Sequence, residues 1–456
     1  MLSRRHFLQG TATAAGLLVL TSTFKAGAYA ANEKLNVACI GVGGRGGAHL
    51  EPAATENLVA LCDVDSRHLG GAAAKKYGPE KKPFTGKTFN DYRKMFDEMP
   101  KEIDAVFIAT PDHTHFPAAM RAVGLGKSVY CEKPLTHSIW EARTLAAAAR
   151  KAKVATQMGN QGMSSEGTRL LVEYVRAGAI GKVNEVHVWT DRAAPNWWAQ
   201  NVSRPAYTDP VPAHIDWDLW LGVAPLRPYA EKWRDGPFQG KQVYHPFVWR
   251  GWLDFGTGAL GDIACHAIGP IKWALDLGLP TVVEAKFEGG NNETYPAWSI
   301  ITYEFPARGD LPPVKLVWYD GKKKPPKPAE MDPARDLPDN GTLFIGDKGK
   351  LVFYGGEGGP RLLPEEKMKD FKKPDPTIPR IPRGDHQLDF FTACKGGRPA
   401  CSNFDIAGPL AEAVLVGNLA LKFKRRIEWD GPNMKAKNCP EAGALIHREY
   451  RKGFVL

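Results

Sequence analysis

Cysteine is scarce in this chain and follows no pattern. Seven cysteines are scattered through 456 residues, which excludes a disulfide-stapled scaffold. Cys39, Cys62 and Cys131 sit within or beside short apolar runs, where a thiol behaves as a small hydrophobe. Cys265, Cys394, Cys401 and Cys439 lack metal-ligand spacing, so all seven are read as free thiols. Internal repeats are missing too, which excludes a solenoid or propeller. The net charge is +10, but no basic amphipathic helix or aromatic-interleaved basic repeat accompanies it, so no nucleic-acid partner is expected. Lysines gather at Lys322–Lys324 and around Lys367–Lys373, among prolines and acids, as on solvated loops. Long hydrophobic runs are absent near the start, where the apolar segment Ala14–Leu20 is too short and interrupted to span a bilayer.

That segment reads as part of a leader. Ser3-Arg4-Arg5-His6-Phe7-Leu8 is a twin-arginine pattern, and Ala28-Tyr29-Ala30 a small-residue cleavage site. Residues 1–30 are expected to be removed, leaving no stable membrane span. Loss of Arg4, Arg5 and Lys25 lowers the charge from +10 to +7. Twin-arginine export carries folded proteins, so a periplasmic or otherwise extracytoplasmic address is expected, with any nucleotide loaded beforehand. The chain is 43% apolar and 24% charged, ordinary for a globular protein, and its length suggests two domains.

What is present is organised around Val37 to Asp63. Val37-Ala38-Cys39-Ile40 is a short apolar run, followed by Gly41-Val42-Gly43-Gly44-Arg45-Gly46, a helical stretch, and Leu58-Val59-Ala60-Leu61-Cys62-Asp63. Strand, glycine turn, helix and a second strand ending in an acid make a dinucleotide-binding βαβ unit. Gly41 permits the tight turn, Gly43 admits a diphosphate close to the backbone, and Gly46 brings helix and strand together. Arg45, within the turn, is a further cofactor contact. Asp63 is placed to accept from the adenosine ribose hydroxyls, which favours NAD because a carboxylate repels a 2′-phosphate. Arg67 lies nearby and leaves NADP as the alternative.

Residues 31–158 continue as alternating strands and helices, a Rossmann domain. Helices are expected at Ala72–Tyr77, from Phe89 to Phe96, at Phe116–Leu125 and at Ile139–Lys151. Buried strands are expected at Ala105–Ala109, Ser128–Cys131 and Val154–Met158. Thr110 to His115 reads as a polar loop at a strand C-terminus, where open α/β sheets bind ligands. From 159 to 456 the expectation is a second α/β domain with a large open, mostly antiparallel sheet. Its strands lie near Val183–Thr190, Val282–Glu288, Ser299–Phe305, Val314–Tyr319, Gly341–Ile345 and Lys350–Phe353. Residues 191–252 form an aromatic-rich insertion with Trp197, Trp198, Trp217, Trp220, Trp233, Trp249 and Trp252.

Two groups carry candidate chemistry. Lys133 ends a parallel strand beside Pro134, where its ammonium can reach a substrate hydroxyl in the nicotinamide crevice. Asp262 and His266 are four apart and share a face if helical, so a carboxylate can hold an imidazole near neutral pH. Pro270 should kink or end that helix. One Asp and one His supply too few ligands for zinc, and no metal is expected.

These motifs carry a resemblance. The glycine turn, Ala109-Thr110-Pro111 with His115, Glu132-Lys133-Pro134, and the Gly258-x-x-x-Asp262-x-x-x-His266 run together resemble the glucose–fructose oxidoreductase/inositol dehydrogenase (Gfo/Idh/MocA) family, in an exported branch. The resemblance implies a Rossmann domain and a C-terminal α/β domain whose sheet often joins subunits, hence a homo-oligomer (dimer or tetramer). It also implies His266 as acid/base, oriented by Asp262 and assisted by Lys133. Further cofactor contacts are expected from Thr110, Pro111, His115, Glu132, Lys133, Asn160 and Gln161, at or just past strand ends. Tyr244, His245, Trp249 and Arg250 lead into the Asp/His segment and are expected to contact a carbohydrate substrate, with tryptophan faces stacking on sugar rings. The activity expected is hydride transfer between a sugar secondary alcohol and tightly bound NAD. The alternatives are a glycosidase or lyase working through a transient 3-keto sugar, and a non-catalytic carbohydrate-binding protein.

Overall fold

A computed structural model describes residues 33–193 and 197–454; the leader read at 1–30 lies outside them. The first sheet has strands β1 Asn36–Ile40, β2 Asn57–Cys62, β3 Lys87–Phe89, β4 Ala105–Ile108, β5 Ser128–Glu132 and β6 Thr156–Gly159. They are hydrogen-bonded in the order β3-β2-β1-β4-β5-β6, and every pairing is parallel. The order reverses between β1 and β4, which opens a crevice at their C-terminal ends. β4 is buried at every position, because helices cover both faces of a parallel sheet.

Three helices begin differently from the expectation. The second helix is Ser66–Ala73, earlier than Ala72–Tyr77, because the Asp65 side chain caps it by accepting from the Arg67 N–H. Lys76–Tyr77 is instead one arm of a short hairpin. Phe89 ends a strand, and the next helix starts at Tyr92 behind an Asp91 cap. The stretch Asp112 to His115 is not loop but the opening of helix Asp112–Gly124.

The second sheet contains strands β7 Val183–Trp189, β8 Val282–Glu288, β9 Trp298–Phe305, β10 Val314–Tyr319, β11 Gly341–Gly346, β12 Gly349–Phe353, β13 Arg361–Leu363, β14 Ile427–Asp430 and β15 Lys435–Ala436. The order is β13-β12-β11-β7-β10-β9-β8-β14-β15. β7 and β10 run parallel, and the other pairings are antiparallel. Helices Gly258–Leu275 and Phe404–Phe423 pack on one face. The latter is long and apolar enough to cross a membrane, yet 78% of its apolar window is buried inside the molecule. Arg143 ties it to helix Ile139–Ala152 through two 2.6 Å bonds to Glu412. On the far face, Trp189, Val317, Leu343 and Val352 are covered by Met331 and Leu337 from the loop between β10 and β11. Helix Gly258–Leu275 runs on through Pro270, whose neighbours Gly269 and Ile271 are buried with it; the expected break is absent because packing holds the turn.

The insertion builds its own aromatic core from Trp217, Trp220, Tyr229, Trp233, Phe238, Tyr244, Trp249 and Trp252, joined by Phe255 just past its end. Six of its seven tryptophans are buried, all but Trp197. Trp252 is fully enclosed, and its Nε1 donates to the Val243 carbonyl at 2.7 Å. Replacing a buried indole by a methyl group costs roughly 3–5 kcal/mol. Trp252→Ala should lower urea-unfolding stability by that much; a loss below about 1 kcal/mol would show that this cluster does not hold the insertion in place.

Candidate active site

The glycine turn is shaped by contact. Gly41 has φ +77°, and a Cβ there would stand 2.8 Å from the Ala109 carbonyl oxygen. A Cβ on Gly46 would sit 1.7 Å from the Gly41 oxygen, so only glycine lets the helix Gly44–Ala53 approach β1. No side chain caps that helix, which leaves its N-terminus open to a diphosphate. The Asp63 carboxylate accepts from the Val42 N–H at 2.8 Å and the Gly43 N–H at 3.3 Å. Burial raises its pKa, opposed by those donors.

A cavity of about 270 Å³ opens over this turn, lined by Gly41, Gly43, Arg45, Asp63, Thr110 and Pro111 and, further along, by Glu132, Lys133, Trp249 and Arg250. Thr110 Oγ1 is buried without a partner among the described residues. An unsatisfied hydroxyl, an uncapped helix and an acid lining one cavity fit a dinucleotide bound along it. Glu132 forms part of its wall. It accepts from Arg45 Nε at 2.9 Å and Gln161 Nε2 at 3.0 Å, and lies 2.8 Å from His49 Nε2. Burial opposes its charge, but His49, Arg45 and Lys133 hold the carboxyl well below the usual carboxylate range.

Lys133 is brought to the cavity by the end of β5 and fixed from the other half of the chain. Its Nζ donates to Asp262 Oδ1 at 2.6 Å. Asp262 is buried near the start of helix Gly258–Leu275. It also accepts from Arg250 Nε on Oδ1 and Arg192 Nη1 on Oδ2, both at 3.0 Å. Burial would raise its pKa, but Lys133, Arg250 and Arg192 hold it well below the ordinary range. Asp262 therefore spends its oxygens on three cations and makes no hydrogen bond to His266 among the described residues, contrary to the expected Asp–His couple. His266, one turn on, is a half-buried residue, and like Asp262 it is not among the residues that line the cavity. Burial first, then the nearby Lys133 ammonium, push its pKa down to about 4.

Several expected contacts act at one remove. His115 is buried between the Pro134 and Thr110 carbonyls at 2.8 and 2.9 Å; it pins the cavity's floor and does not line it. Asn160 donates to the Cys265 carbonyl, and Gln161 to Tyr130 and Glu132; neither lines the cavity. Tyr244 is 2% exposed and packs against Trp217, Trp252 and Phe255. It fills the insertion's core and does not face the cavity. His245 lines the cavity, yet its Nε2 sits 3.1 Å from Asp65 Oδ2. With His68, these place three ligand-capable atoms within 4.8 Å, but Arg67 also holds the same carboxylate. Reading the sequence missed Arg192 and Phe247. The first lies 70 positions before Asp262, and no local pattern joins them.

Fold and cavity are those of a dinucleotide-binding protein. Models of an oxidoreductase family match the chain in two blocks, an NAD-binding Rossmann fold at residues 35–160 and a C-terminal α/β domain at 169–311. Together these cover more than half of it. The chain belongs to the Gfo/Idh/MocA oxidoreductase family, and its N-terminal domain binds NAD. An inositol 2-dehydrogenase from Rubrobacter xylanophilus is 34% identical over 158 residues, covering 33% of this chain and 42% of that protein. A glycosyl hydrolase family 109 protein from Stenotrophomonas maltophilia is 33% identical over 138 residues, 29% of either chain. The matched stretch thus spans less than half of these curated relatives. Among solved structures, the WlbA dehydrogenase from Bordetella pertussis, in complex with NADH and UDP-GlcNAcA, has a TM-score of 0.56 at 16% identity. That likeness covers 87% of this chain and 99% of that one, and shows a common fold.

Asp112 offers a test of the site's electrostatics. Thr257 donates to it at 2.6 Å, yet burial pushes its carboxyl up from 3.8 to about 7. A raised folded-state pKa means that stability is full below the unfolded value and falls as pH rises through the folded one. Asp112→Asn should therefore flatten the decline in urea-unfolding stability between pH 4 and 8. Equal declines in both proteins would contradict the assignment.

Proposed function

We propose that the protein transfers hydride between a secondary alcohol of a sugar or sugar derivative and a tightly held NAD. The observation that carries this is the Lys133 ammonium, which lines the same cavity as the glycine turn and is clamped by Asp262 from the other half of the chain. When bound, the nicotinamide supplies the hydride acceptor at its C4. Lys133 donates a hydrogen bond to the reacting hydroxyl and stabilises negative charge on its oxygen. His266, held neutral by burial, receives the hydroxyl proton as the carbonyl forms. Asp262 positions Lys133. Trp249 and Trp220, at the cavity wall, offer aromatic faces to a sugar ring.

A closed cycle is the second reading, in which the hydride is returned after a glycosidic bond has broken through a 3-keto sugar. The relatives named glycosyl hydrolase family 109 proteins support it. Turnover with no net NADH and retained nucleotide separates it from an ordinary dehydrogenase. The twin-arginine pattern supports export in folded form to the periplasm; Arg4→Lys with Arg5→Lys should hold the precursor in the cytoplasm, and undiminished export would refute this. A homodimer or tetramer goes with the same reading and is checked by the mass in solution.

Lys133→Ala should lower kcat by about 10²–10⁴-fold with a much smaller change in KM. In the wild type the rate of alcohol oxidation should fall as pH drops through about 4, where His266 takes a proton. That limb should vanish in His266→Gln. If wild type and Lys133→Ala bound sugar alike and neither turned any sugar over, the chain would be a carbohydrate-binding protein.

A further inference from the structure

Three cations converge on one carboxylate at this site. Lys133 and Arg250 meet Asp262 Oδ1, and Arg192 meets Oδ2. The neighbouring acids have other hydrogen-bond partners, although the Lys133 charge also acts on Glu132 and those of Lys133 and Arg250 on Asp112. Glu132 is held by Arg45, His49 and Gln161, and Asp112 accepts from Thr257. Asp262 cancels one charge of the three. The Arg192 and Arg250 side chains are only 26% and 15% exposed, so the surplus sits where water screens it poorly.

The two guanidinium groups are also presented in a particular way. Arg192 lies over the Trp197 ring at 3.6 Å, and Arg250 over Trp249 at 4.2 Å and Phe247 at 4.3 Å. Stacking fixes the planes and leaves their edges to donate. Arg250 uses Nε on Asp262 and Nη1 on the Phe247 carbonyl. Arg192 uses Nη1 on Asp262. Arg250 Nη2, and Arg192 Nε and Nη2, meet no protein acceptor among the described residues. Sugar hydroxyls could satisfy those N–H groups but not the surplus charge. A carboxylate satisfies both, and its two oxygens match the guanidinium edge.

We propose that Arg192 and Arg250 form a seat for a carboxylate, and that the site takes an acidic sugar, a uronic acid or its glycoside, in preference to a neutral one. This rests on the sugar-alcohol reading above. Arg250 and Lys133 share one oxygen of Asp262, so the bound carboxylate lies close to the reacting hydroxyl. Arg192 and Arg250 thereby determine specificity.

The test uses purified, nucleotide-loaded protein and matched pairs: glucose with glucuronate, galactose with galacturonate, and their methyl glycosides. In at least one pair, kcat/KM for the acid should exceed that for the neutral sugar by tenfold or more, with the preference shrinking as salt rises. Arg192→Gln should bring the ratio towards one, and Arg192→Lys, which keeps the charge but not the fork, should fall between. Neutral sugars turned over as well as their acids in every pair, or a ratio unmoved in Arg192→Gln, overturn the proposal. If no sugar is oxidised, the redox reading fails and calorimetric binding decides the seat. Acid-selective binding lost in Arg192→Gln supports it, and equal or absent binding of both partners overturns it.

Discussion

The 2.6 Å ion pair between Lys133 and Asp262 is the constraint on which the site depends. A lysine on a strand tip is ordinarily a mobile, hydrated charge with four rotatable bonds. Here the side chain is 13% exposed and the partner carboxylate 5%, so the ammonium has one direction in which to point. Burial of such a pair adds little net stability, because desolvation offsets most of the attraction. Its consequence is placement: a cation held beside the nucleotide cavity, by a residue from the other half of the chain. Arg192 and Arg250 complete the arrangement, and make Asp262 a hub for cations where an imidazole partner was expected.

The remaining structure serves to bring those two residues together. β5 delivers Lys133 at its C-terminal end, beside the reversal of strand order where parallel sheets leave a crevice. Helix Gly258–Leu275 delivers Asp262 within its first turns, packed against helices Phe404–Phe423 and Glu166–Arg176. The aromatic insertion forms the opposite wall and is joined to the nucleotide half by contacts around Asp65, which lies close to His245 and His214. His113 adds another tie, its ring nitrogens at the Phe255 and Trp220 carbonyls. The cavity is therefore walled by both halves of the chain.

Much of this was legible in the sequence where the determinants are local. A run such as Ala105-Val106-Phe107-Ile108 can only be a strand buried on both faces, and glycines at 41, 43 and 46 announce a turn under a diphosphate. Strands Val282–Glu288 and Val314–Tyr319 were readable to the residue. Misreadings came where a cap or tertiary packing decides. The Asp65 side chain starts a helix six residues before the apolar pattern suggests it, and packing carries Gly258–Leu275 through Pro270. Tyr244 stands next to cavity-lining His245 in sequence, yet points into a core. Arg192 is the instructive omission: its role comes from meeting Asp262 in space, and no spacing rule encodes such a meeting.

A double-mutant cycle measures the ion pair directly. Lys133→Met, Asp262→Asn and the combined variant are compared with wild type by kcat/KM on one sugar substrate. If Asp262 works by holding Lys133, the second substitution should cost little once the first is made, with a coupling energy of at least about 1.4 kcal/mol, a factor of ten. Additive losses, within about 0.3–0.5 kcal/mol, would mean that the two residues act independently and that the account of the site is wrong.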